Sequence, residues 1–202
     1  MQPQAPKPKS HRTAIIATIL VLAGIAVVLY PQLTDLRYAV AQGQMASAAA
    51  GMQDATTDGG GSTDVGSTGI PLPEGVVARL EIPAIGLAAF VVEGTDRASL
   101  AKGPGHYPST VLPGEAGNAA IAGHRTMYGH VFRHLDQLAP GDVIRTATSQ
   151  TTASYRVVQV TAVDPQDVQV IAPTSDDRLT LTTCNPVGSA AQRLVVVAER
   201  EH

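Results

Sequence analysis

Residues 178–186 read Arg178-Leu179-Thr180-Leu181-Thr182-Thr183-Cys184-Asn185-Pro186, and after a loop the chain resumes as Arg193-Leu194-Val195-Val196-Val197. Side chains alternate faces along a strand. Leu179, Leu181 and Thr183 therefore share one face, and Arg178, Thr180, Thr182 and Cys184 share the other. The leucines mark the core side, so Cys184 faces away from it at the C-terminal end of a strand. Pro186 cannot donate to a ladder and helps to end that strand. An inert core thiol behaves as a small hydrophobe and falls more often in register with the leucines. If the two segments pair as a hairpin, facing Cβ atoms lie about 5 Å apart and Arg193 stands beside Cys184. A guanidinium there favours the thiolate and can hold a developing oxyanion. The competing reading is a strand-edge charge in solvent.

The rest of the C-terminal two thirds repeats this texture. Residues 76–82, 87–92, 119–122, 143–147, 154–163 and 168–171 read as short strands, punctuated by Pro83, Gly94, Gly103-Pro104-Gly105 and Pro140-Gly141. Residues 98–102 and 131–138 predict short helical pieces. Many short β segments between Gly/Pro turns point to one all-β barrel or sandwich. With aromatics at 3% and no Trp, its core must be built from Val, Ile, Leu and Ala. Residues 71–202 have the usual size of a single domain.

Cys184 is the only cysteine, so no intramolecular disulfide is possible. A lone thiol in an exported chain is a candidate reactive group. Its partner should be a histidine. His124 closes the apolar run Ala119-Ala120-Ile121-Ala122-Gly123 and enters the loop Arg125-Thr126-Met127-Tyr128-Gly129, which places it at a strand end, like Cys184. A metal site of His124, His130, His134 and Cys184 fits no standard zinc spacing, so no metal and no cofactor are expected. A net charge of −3 gives no nucleic-acid footprint.

The N-terminus has a different character. Lys7, Lys9 and Arg12 precede an almost wholly apolar run over 14–30. Its length is near the lower end of the roughly 17–25 residues that span a bilayer core. The basic flank predicts a cytoplasmic tail (1–13), a transmembrane anchor (14–30) and an extracytoplasmic remainder. Ala39-Val40-Ala41 resembles a signal-peptide cleavage site, but the run is longer than a usual signal core and Ala41 lies well past its end, so a retained anchor is expected. Residues 31–70, rich in Ala, Gly, Ser and Thr, predict a flexible tether, with helical extension from 31 to about 50 near the membrane as the other reading. The catalytic domain would be 71–202.

These residues resemble the sortase family. Thr180-Leu181-Thr182-Thr183-Cys184 matches its T-L-x-T-C signature, Gly123-His124-Arg125 matches the segment around its catalytic His, and Arg193 sits where its catalytic Arg is expected. Gly105-His106-Tyr107-Pro108, the segment 123–129 and Thr182-Thr183-Cys184-Asn185-Pro186 look most like class E, the housekeeping type of actinobacteria; Ala190-Ala191-Gln192 departs from it by lacking a basic residue. The resemblance implies a closed eight-stranded barrel with Cys184, His124 and Arg193 as catalytic residues. Tyr107, Thr182, Thr183 and Tyr128 would line the substrate groove. It further implies cleavage of an LAxTG- or LPxTG-like C-terminal sorting signal between Thr and Gly, through a thioacyl enzyme. The clients would be surface proteins, and the acceptor an amine of a peptidoglycan precursor such as lipid II. A cysteine protease releasing its product to water, and a non-catalytic cell-wall-binding barrel, are the alternatives.

Overall fold

The computed structural model describes residues 11–58 and 69–201, with side chains from 13 to 53 in the N-terminal helix. The chain divides into two compact units between Leu33 and Thr34. In the first, helix α1 (His11–Asp58) begins, and its large apolar side chains from Ile15 to Tyr30 are exposed. This is one helix long and apolar enough to cross a membrane.

The second unit is a closed barrel. Its strands are β1 (Val76–Ile82), β2 (Leu87–Glu93), β3 (Gly105–His106), β4 (Asn118–Ala122), β5 (Val143–Ala147), β6 (Thr152–Val163), β7 (Arg178–Asn185) and β8 (Gln192–Arg200). They close in the order β1-β2-β3-β4-β7-β8-β6-β5. A barrel of about eight strands has an interior just wide enough for side chains to fill. Leu80, Ile82, Val91, Ile121, Ile144 and Val196, with Leu179 and Leu181 of β7, fill it and are inaccessible to solvent. Tyr155 joins them, its hydroxyl accepting from Gly114 N at 2.7 Å.

Two pairings are parallel, β2 with β3 and β4 with β7. The second one positions the site. Running β4 and β7 side by side in the same direction brings their C-terminal ends to the same rim. Because β8 runs antiparallel to β7, its first residues arrive at that rim as well.

Three segments differ from the sequence expectations. Residues 168–171, read as a strand, form a 3-10 turn, because the Asp167 side chain caps it by accepting from Gln169 N. The eighth strand is instead the two-residue β3, too short to leave a periodic signal. Residues 131–138 form no continuous helix. A short 3-10 turn at Tyr128–His130 precedes them and another at Leu135–Gln137 falls within them, with Phe132 and Leu135 driven into the core.

The third segment is the expected tether over 31–70, where the other reading, a helical extension from 31 to about 50, matches the helix seen. Helix α1 runs to Asp58, with Pro31 inside it; residues 59–68 lie outside the described set. The Ala-rich composition costs little in a helix. Asp35, Tyr38, Gln42, Met45 and Ala49 recur every three or four residues, a single helical face, and that face lies on the barrel. Gln42 accepts from Phe90 N at 2.8 Å and donates to the carbonyls of Phe90 and Lys102 at 3.0 Å. Met45 and Ala49 pack with Phe90, Val76 and Leu72.

Candidate active site

The β7–β8 hairpin pairs Cys184 with Arg193 across the ladder. The Arg193 Nη1 stands 3.6 Å from the Cys184 Sγ. Cys184 is half-buried at the rim, whereas Thr180 and Thr182, which share its face, are fully covered. Thr180 donates to the Asn118 side chain at 2.7 Å, and Thr182 meets the Tyr107 hydroxyl at 3.0 Å. The outward face of β7 is therefore roofed until its last residues, where the sulfur emerges.

The parallel register aligns Ala122 of β4 with Thr182 of β7. Two contacts carry that alignment beyond the ladder. Gly123 N donates to the Thr182 carbonyl at 3.1 Å, and the Thr183 hydroxyl donates to the Gly123 carbonyl at 2.7 Å. Continued at the same register, His124 falls alongside Cys184. Gly123 is required where it stands. A Cβ there would meet the Phe132 ring at 2.4 Å, and Phe132 in turn donates its N–H to the His124 carbonyl at 3.0 Å.

The His124 ring lies 5.3 Å from the Tyr128 ring, tilted by 34°. Its Nε2 is buried with no hydrogen-bond partner. Burial, followed by the positive charge of Arg97, pushes its titration below the ordinary histidine value. A neutral imidazole with an uncommitted nitrogen, carried just past the end of the strand that pairs with β7, can accept a proton and later return it.

Of the residues expected to line the groove, Tyr107 and Thr182 are joined by their hydroxyls, and Tyr128 is buried against His124. Thr183 departs from the expectation. It shares a face with Leu179 and Leu181, is 3% exposed, and spends its hydroxyl on Gly123, so it ties two strand ends together instead of facing a groove. A hollow of about 610 Å³ lies among β1, β5 and β6, lined by Arg79, Arg145 and Arg200. None of the site residues borders it, so cavity size does not mark the Cys184 rim.

One residue of the site escaped the sequence reading. Arg125 is 3% exposed, and its guanidinium reaches across the rim. It donates to the Asn185 side chain at 2.6 Å and the Cys184 carbonyl at 3.3 Å, pairs with Asp136 at 2.8 Å, and reaches the Arg133 carbonyl at 3.4 Å. It thus clamps the end of β7 to the loop after His124. The available signal was a charge flanked by Gly123-His124 and a polar loop, which usually means solvent. Replacing Arg125 by Ala should cost about 2–3 kcal/mol of stability, since the buried carbonyls and the charge-assisted bonds lose their partner. Lys should recover only part of that, lacking the fork. Urea denaturation of the two variants measures it.

The sortase-domain family profile matches residues 80–201. Sortase D of Bacillus subtilis is 38% identical over 125 residues, which cover 60% of this chain and 62% of that protein. Sortase SrtE1 of Streptomyces coelicolor is 32% identical over 135 residues, covering 59% of this chain and 38% of its own. The chain therefore spans less than two thirds of the length of either relative. Among solved structures, a Clostridium perfringens Sortase D5 transpeptidase aligns with a TM-score of 0.58 at 32% identity, over 63% of this chain and 79% of that one. A sortase E variant of Streptomyces avermitilis gives 0.57 at 33% identity, over 63% and 88%. Profile, relatives and barrel agree: the chain belongs to the sortase family of cysteine transpeptidases.

Proposed function

We propose that this protein cuts a C-terminal sorting signal of the LAxTG or LPxTG kind between Thr and Gly and joins the new carboxyl end to a cell-wall precursor amine. The observation that carries this reading is the cross-strand pair of Cys184 and Arg193, with Nη1 3.6 Å from Sγ, at the rim where β4 delivers His124. Neutral His124 takes the thiol proton as the Cys184 sulfur attacks the Thr carbonyl carbon. Arg193 donates to the oxygen that becomes negative. The tetrahedral adduct collapses, the Thr–Gly C–N bond breaks, and His124 returns its proton to the departing Gly amine. An acceptor amine then attacks the thioester, forms a new amide and releases Cys184, its surplus proton passing through His124 back to the sulfur. Two moderate steps replace one difficult acyl transfer.

Tyr107 and Thr182, roofing β7 beside the sulfur, are assigned to the substrate groove, with Tyr128 closing the His124 side. The clients are surface proteins with C-terminal sorting signals, and the acceptor is the stem-peptide amine of a lipid-linked peptidoglycan precursor. Residues 14–30 anchor the chain, the basic tail stays in the cytoplasm, and the barrel works outside. The relatives include D and E types, and the segments 105–108 and 123–129 favour the class E assignment. Incubation with LAxTG and LPxTG peptides and an amine acceptor tests the reading. Ligated product is expected, and peptide released to water alone would favour a protease.

The depressed titration of His124 fixes a pH dependence. The base must be neutral in free enzyme, so the acid limb of kcat/KM is expected below the ordinary histidine value of 6.5, not at it. The same shift bears on stability. Between the folded-state midpoint and 6.5, the unfolded chain holds this proton more readily than the folded one. Stability from this group is therefore complete above 6.5 and declines as pH falls through that window. A kcat/KM profile with its acid limb at or above 6.5 would contradict the assignment of that limb to His124.

A further inference from the structure

We propose that Asp35 and Tyr38, on the part of α1 that lies against the barrel, are positioning residues for His124: they hold the turn Tyr128-Gly129-His130 that presses Tyr128 onto the imidazole. The proposal rests on His124 being the proton carrier of the reaction above.

The turn needs holding. Tyr128, Gly129 and His130 have φ of 51°, 73° and 43°, three consecutive residues in the left-handed region. Glycine tolerates that conformation, but a tyrosine and a histidine adopt it only when their surroundings over-determine it. The surroundings here come from the helix. One Asp35 carboxylate oxygen accepts from Gly129 N at 2.9 Å, and the other lies 3.3 Å from the His130 Nε2. The Tyr38 ring covers the Gly129 α-carbon so closely that a Cβ there would sit 2.2 Å from it. The residue before this anchored glycine is Tyr128, buried, with its ring 5.3 Å from that of His124. The contact chain thus runs from a helix carboxylate, through one backbone N–H, to the aromatic wall of the site. Because the Asp35 side chain is about one third exposed, its replacement removes the contact without opening a core cavity.

The test compares full-length wild type, Asp35→Ala and Asp35→Asn. Asparagine keeps an oxygen that can accept from Gly129 N. Two quantities are read: kcat and KM for ligation of a sorting-signal peptide, and the His124 titration midpoint from NMR of histidine-labelled protein. Asp35→Ala is expected to lower kcat about tenfold to a hundredfold, with KM changed by no more than about twofold, as loss of alignment does. Its His124 midpoint should rise toward the ordinary value as water reaches the ring. Asp35→Asn should stay within about threefold of wild type in kcat. Unchanged kcat in Asp35→Ala, with or without a shift of the midpoint, overturns the proposal, as does equal loss in Asp35→Asn. Failure of wild type itself to ligate would remove the proposed function, while the His124 midpoint in Asp35→Ala would still show whether the helix holds the turn.

Discussion

Cys184→Ala is expected to abolish both cleavage and ligation of a sorting-signal peptide. The acyl group then has no sulfur to rest on, and none of the neighbouring side chains can replace it. Thr183 is turned into the barrel and bonded to Gly123, and Thr182 is covered beside Tyr107. The cost to folding should be about 1 kcal/mol or less, because Cys184 is only half-buried and its sulfur fills no part of the core. Peptide turnover and a thermal melt on the same sample separate lost chemistry from lost fold.

The second large effect belongs to Arg193. Removing one oxyanion donor typically costs about 10²–10³ in kcat, or roughly 3–4 kcal/mol. Arg193→Ala should show that loss in kcat/KM. Its ladder position opposite Cys184 is set by backbone pairing along all of β8, so the fold should persist. Arg193→Lys should recover part of the loss, since an ammonium keeps the charge without the planar fork. Equal kcat/KM for Arg193→Ala and wild type would remove Arg193 from the reaction and leave it a strand-edge charge.

Much of this rim was legible in the sequence. Alternation along Leu179, Leu181 and Cys184 gave the outward direction of the sulfur, and two β-rich runs around a short loop gave the hairpin that sets Arg193 beside it. What could not be read was the neighbour of β7 on its other side. The β4–β7 pairing joins residues about sixty positions apart, and no local pattern encodes it. The placement of His124 therefore rested on family resemblance and on its position at a strand end. The same limit hid β3, whose two residues carry no periodicity, and misread 168–171, where the Asp167 cap outweighs a β-branched composition. Arg125 was given no role from sequence, because its four partners come from 133, 136, 184 and 185. A helix from 31 to about 50 was one of two readings of the sequence, but its docking on the barrel was not legible, for a different reason. Its docking stripe holds one aspartate, one glutamine and only a few apolar residues, and it binds the barrel through hydrogen bonds to backbone that composition does not reveal.

The most direct measurement is intact-mass spectrometry of the full-length protein mixed with a sorting-signal peptide and no acceptor amine, followed by peptide mapping. A mass increase equal to the peptide up to its Thr, located on Cys184, labile to hydroxylamine and missing from Cys184→Ala, is the expected result. Peptide cleaved at Thr–Gly by Cys184→Ala as fast as by wild type, or an acyl group carried on any other residue, would contradict it.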